Sequence, residues 1–144
     1  MNNYNPYYMT DYNLNNGDNF FYVNENRPTA MDPYLGFTRG NLFDQLYTPY
    51  KNYQLREIKP QNEREQLLFN LSMYSFAAHE LALYLDTHPT DSNAIKLRSE
   101  YVMLSKKAND EYEQKYGALD MGSDTLFKDP WGWTTPNWPW DGDM

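Results

Sequence analysis

The chain has two histidines, His79 and His88, and each stands near a carboxylate, Glu80 beside the first and Asp86 two residues before the second. Imidazole and carboxylate together can hold a metal ion or exchange a proton, so their spacing decides whether either chemistry is open. The stretch HELAL at 79–83 begins like the zinc-binding pattern H-E-x-x-H, but Leu83 occupies the place of the second ligand. Di-metal helix bundles need a glutamate three residues before each histidine, and here those positions carry Phe76 and Leu85. Asp86 and His88 would bring only two ligands to a turn, where a histidine between threonine and proline serves better as a cap. Glu80 interrupts an apolar row, the setting of a paired or partner-facing charge rather than a general acid. A small metal-binding protein built on His79, Glu80, Asp86 and His88 is the one reading of this kind that these residues leave open. Cysteine is absent, which removes thiolate ligands and cysteine nucleophiles, and Gly36 and Gly40 are too isolated to form a phosphate loop. The expectation is a protein without catalysis, cofactor or resident metal.

A different chemistry is written at the C-terminus, where all four tryptophans, Trp131, Trp133, Trp138 and Trp140, fall within DPWGWTTPNWPWDGDM. Indole joins a broad apolar face to one N–H donor and suits surfaces that meet other surfaces. Pro130, Pro136 and Pro139 are expected to keep the tail extended, leaving the indoles free to dock on a neighbour or to fold back on their own chain. With a net charge of -8 and a pI near 4.6, the chain lacks the basic footprint that nucleic acid or an anionic membrane requires. Neither a basic, apolar leader nor a membrane-length apolar run is present, so the protein is expected to stay in the compartment where it is made.

The elements that must position these residues are helical. From Asn62, with Glu65 in capping-box spacing, an apolar row of Leu67, Leu71, Tyr74, Ala78, Leu81 and Leu85 advances by alternating fours and threes. A second row of Ala94, Leu97, Tyr101, Leu104, Ala108 and Tyr112 follows, with Gly117 as its stop. Between them DTHPTD predicts a tight turn, with Thr87 or His88 capping the second helix and Pro89 in its first turn. The fold class is therefore all-α: an antiparallel two-helix hairpin over 60–119. A short helix over 42–47 precedes it, carrying Leu42, Phe43, Leu46 and Tyr47 after an Asn41 cap. Residues 1–30, rich in Asn and Tyr, are expected to form a disordered arm, 31–59 a segment around the short helix, and 120–144 an extended tail.

The first long helix also carries Phe69, Met73, Phe76 and Leu83, roughly 200° around from its first row at 100° per residue. The second helix can cover only one of two opposed rows. The other is expected to meet the short helix, the folded-back Trp tail, or another molecule, and we take it as a candidate partner surface together with the four tryptophans.

Three stretches then resemble a known family. ELALYLDTHPTDSNAI at 80–95, YEQKYGAL at 112–119 and the closing PWGW and WPW are similar, in order and spacing, to the spore coat protein CotJB family. The motif residues carried by the resemblance are Glu80, Tyr84, Asp86, His88, Pro89, Tyr116 and Gly117; Ala118 stands in place of the family's usual proline, and Asn137 separates Pro136 from Trp138. Upstream, RGNLFDQLYTPY resembles the closing signature of the CotJA family through Gly40, Phe43, Leu46, Pro49 and Tyr50, with Asn41 and Asp44 departing from it. The resemblance implies a structural component of the bacterial endospore coat, made in the mother-cell cytoplasm. Its implied partners are other coat proteins, including a manganese-catalase-like CotJC protein that it would bind, position or regulate; self-association is expected instead from the Asn/Tyr arm and the second apolar row of the first long helix.

Overall fold

The computed structural model describes residues 30–46, 48, 51–52, 54–55 and 57–134. The Asn/Tyr arm up to residue 29, Tyr47, Trp138 and Trp140 lie outside the described residues. Three α-helices follow in order, α1 (Pro33–Arg39), α2 (Glu63–Thr87) and α3 (Ser92–Tyr116), and α2 packs along α3 as an antiparallel hairpin.

Helix α2 starts where its capping signal stands. The Asn62 side chain accepts the Glu65 N–H at 2.9 Å, and the Glu65 carboxylate accepts the Gln61 N–H at 2.7 Å, so the return bond of the capping box is shifted one residue outward. At the other end the His88 N–H donates to the Tyr84 carbonyl and closes α2. That role takes His88 away from the second helix, and the expected start at Thr87 or His88 is corrected. Asp91 caps α3 instead, one carboxylate oxygen accepting from Asn93 N–H and Ala94 N–H at 3.1 Å, while Pro89 lies in the turn. Gly117, at φ 100°, ends α3 in a backbone conformation that side chains resist.

The hairpin interface is built from Ala78, Leu81, Ala94, Leu97 and Tyr101, with Tyr74 stacked on Tyr101 at 6.0 Å and the Ser75 and Ser105 hydroxyls 2.7 Å apart. Its open end is tied by polar contacts. Glu63 pairs with Lys115 and accepts from the Tyr116 hydroxyl at 3.2 Å, and Arg64 donates to the Tyr112 hydroxyl at 3.0 Å. The Lys115 ammonium holds the Glu63 carboxyl below the usual range, and Glu63 in turn raises Lys115.

The short helix is present, but earlier than its apolar pattern predicts. Asp32 caps α1, accepting the Tyr34 N–H at 2.9 Å, and Pro33 occupies the first turn, where its missing N–H costs nothing. Gly40, at φ 78°, ends the helix, its N–H donating to the Gly36 carbonyl at 2.9 Å. Asn41 does not start a helix; its side chain accepts the Phe43 N–H at 2.7 Å in a local turn. Leu42 and Phe43 then run extended beside residues 30–31, with the Met31 N–H on the Leu42 carbonyl at 2.8 Å, and only a single 3-10 turn, Asp44–Leu46, follows. The pattern Leu42, Phe43, Leu46 thus belongs to two buried residues of an extended segment and one exposed residue of a turn.

This N-terminal segment covers α2. Phe37 sets its ring edge-on against Phe69 at 5.7 Å and Phe76 at 5.8 Å, and Phe43 stacks on Tyr84 at 5.0 Å. Gly36 permits the crossing, since a Cβ there would stand 2.8 Å from Leu42 Cδ1 and 3.1 Å from Leu42 Cα. The two apolar rows of α2 are consequently joined along one side of the helix. Asn70, Ala77 and Tyr84, seven residues apart and at roughly 280° on the same wheel, are all buried between them. Together the rows form one arc of about half the helix, with α3 on one flank and residues 30–43 on the other. Asn70 is tolerated inside it because Gln66 donates to its side-chain oxygen at 2.8 Å.

Candidate docking surface

The residues named for a partner surface separate into covered and open groups. Phe69 and Met73 are buried, and Phe76 is half-buried against Phe37; the chain's own N-terminal segment occupies that part of the row. Leu83, in the same row, is 53% exposed. Glu80, the charge that interrupts it, accepts the Leu42 N–H at 3.3 Å and so fastens the covering segment.

At the hairpin turn the motif residues act on one another. Tyr84 lies with its ring parallel to His88 at 4.2 Å and donates from its hydroxyl to the second carboxylate oxygen of the Asp91 cap at 3.1 Å. One side chain therefore joins the core of α2, the turn and the start of α3. Asp86 is exposed and Pro89 lies on the turn's surface. Tyr116 and Gly117 sit at the opposite end, the first on Glu63 and the second ending α3. Among the described residues no group of three or more His, Asp or Glu side chains gathers where it could hold a metal ion. His79, on the outer side of α2, is exposed and lines a shallow groove with Ser75, Ala82, Arg98 and Lys106.

The C-terminal segment is more structured than its prolines predict. Glu113 on α3 accepts from the Leu119 N–H at 3.3 Å and from the Ser123 hydroxyl, and this double hold fixes the segment after Gly117. Ser123 caps a single 3-10 turn, Asp124–Leu126, and a second turn, Gly132–Thr134, packs against it. The expectation of an extended chain around Pro130 is corrected to that extent. Leu126 is buried at 2% exposure, and Gly132 lies so close that a Cβ would come within 2.9 Å of the Leu126 Cα. A backbone approach of that kind admits only glycine. The glycine of the PWGW motif thus has a packing reason.

The same packing turns two aromatic rings outward. Phe127 is 71% exposed and Trp131 43%, their rings meeting edge to face at 6.2 Å, while Trp133 is half-buried. Leu126 belongs to no periodic pattern in the sequence, and the signal that points to it is the Ser123–Thr125 cap beside a lone leucine. The outcome is a small packed mount that displays Phe127 and Trp131 side by side. Preorganised aromatics of this kind form contacts at low ordering cost.

A family model described as CotJB protein matches residues 65–141, more than half of the chain. The match spans most of α2, all of α3 and the segment carrying Phe127 and Trp131. Residues 30–46 and the rest of the stretch compared with CotJA lie outside it. No curated protein and no solved structure matches the chain.

Proposed function

Because the chain belongs to the CotJB family of spore-coat proteins, we propose that it is a non-catalytic assembly component of the bacterial endospore coat, which joins other coat proteins through the aromatic mount at its C-terminal end. The exposed pair Phe127 and Trp131, flanking a contact between buried Leu126 and Gly132, is the observation that supports this reading best. Residues 60–119 serve as the scaffold, 31–59 as a clasp that seals α2, and 120–144 as the docking segment that includes Trp133, Trp138 and Trp140. Leu83 adds an exposed apolar side chain on α2 that a partner can cover.

Aromatic anchors at the centre of an interface contribute about 2 kcal/mol or more each, a contact roughly 30-fold weaker when one is truncated. Phe127→Ser combined with Trp131→Ser is expected to leave helix content and thermal midpoint nearly unchanged, since both rings are exposed. The same variant, expressed during sporulation, should fail to be retained in purified coats. Retention at wild-type level in a correctly folded double variant would remove the proposal. Binding assays with separate coat proteins, a manganese-catalase-like protein among them, would then identify which partner loses affinity.

A further inference from the structure

Residues 30–46 reach α2 from the same chain, yet their contacts do not depend on that connection. The segment touches α2 through Phe37, Leu42 and Phe43, and α1 makes its substantial packing with α2 alone. A seven-residue helix has too few hydrogen bonds to persist unaided, so α1 needs an α2 face to exist. The face need not be its own.

The connection is long enough to make that choice real. Phe43 stacks on Tyr84 near one end of α2, whereas the chain re-enters α2 at Glu63, some 21 residues or roughly 32 Å away along the helix. The 16 residues between Leu46 and Glu63 span up to about 55 Å when extended. Thr48, Lys51, Asn52, Gln54 and Leu55, within that stretch, are exposed and not built into the core. The slack of roughly 20 Å exceeds the width of a helix, about 10–12 Å, so a neighbouring copy packed alongside presents its α2 within reach.

We propose that the Phe69–Phe76 face of α2 is an exchange site, on which residues 30–46 of a second copy dock in place of the chain's own. Exchange of an identical element reuses contacts that already fit and is a low-cost route to association. In dilute solution the tethered segment wins, because its tether supplies an effective concentration of about millimolar order. In an assembled layer, where copies touch, the neighbour's segment competes on equal terms and links one molecule to the next. The inference concerns contacts between copies and does not rest on which coat protein meets Trp131.

Two full-chain variants test it by complementation. Phe37→Asp spoils the segment but leaves the face, and Phe76→Asp spoils the face but leaves the segment. Each alone should be monomeric, with its helical spectrum retained. Mixed, they should give a one-to-one species of about twice the 17.2 kDa chain mass by light scattering. A mixture that remains two monomers would overturn the proposal. Removing residues 48–59 is the second test, since the four remaining connecting residues reach only about 14 Å and cannot return to their own face. That variant should be dimeric or larger at concentrations where the full chain is a monomer, and a monomer there would count against exchange.

Discussion

Tyr84→Ala is expected to cost about 3–5 kcal/mol of folding stability, the range for removing a buried aromatic ring, against a total of about 5–15 kcal/mol for a small domain. The side chain is 8% exposed, stacks on Phe43 at 5.0 Å and on His88 at 4.2 Å, and holds the Asp91 cap of α3 through its hydroxyl. Alanine would therefore loosen three places together: the covering segment, the turn and the start of α3. Tyr84→Phe separates the ring from the hydroxyl, and its cost should be about 1 kcal/mol, that of one hydrogen bond. Urea denaturation followed by circular dichroism gives both values. An alanine variant that loses less than the phenylalanine variant would show that the ring does not have this role.

Leu42→Ala is expected to cost about 2–5 kcal/mol, and to take it from one place. Leu42 is fully buried, lies against Gly36 and carries the N–H that Glu80 accepts. The hairpin is held by α3 independently of it, so helix content should fall little. What should change is the cover on Phe69 and Met73, whose apolar surface contributes roughly 25 cal/mol per Å² while buried. Dye binding to apolar surface and proteolysis within residues 30–46 should both rise in the variant. A folded variant with neither change would mean that the segment is held by something other than Leu42.

The parts of this fold legible in the sequence are those governed by local chemistry. Asn62 with Glu65, the leucine row of α2 and Gly117 each determine a helix end or face through residues within one or two turns, and the structure places them accordingly. The N-terminal helix lies earlier than its expected place because its cap, Asp32–Pro33, precedes a stretch with a weaker apolar pattern than Leu42, Phe43 and Leu46. Tertiary pairing with residues 30–31 decided the conformation of that pattern, and no local rule reports it. That the two rows of α2 are joined by buried residues is hidden in the sequence because Asn70 and Ala77, polar and small, do not look like core. Their burial depends on Gln66 satisfying Asn70 and on neighbours coming close to Ala77.

The candidate site divides in the same way. The adhesive character of the Trp-rich end was legible from residue type alone, whereas the display of Trp131 beside Phe127 depends on Leu126 being buried against Gly132. That contact joins residues six apart in a segment without periodicity. Composition could name the chemistry but not its mount. The motif residues Glu80 and His88 show the converse, since their types invite a metal or acid–base reading, while the structure uses Glu80 to fasten the covering segment and His88, stacked on Tyr84, in the turn.

The central claim is that residues 30–43 seal the second flank of α2 within one molecule. Hydrogen exchange on the full chain, at a dilution where light scattering shows a monomer, addresses it directly. The amides of Met31, Gly40, Asn41 and Leu42 donate to Leu42, Gly36 and Glu80 acceptors, and they should exchange at least about a hundredfold more slowly than free-chain amides. Exchange of those four amides at free-chain rates, with α2 and α3 still protected, would contradict the account, because the flank of α2 would then be open in the isolated molecule.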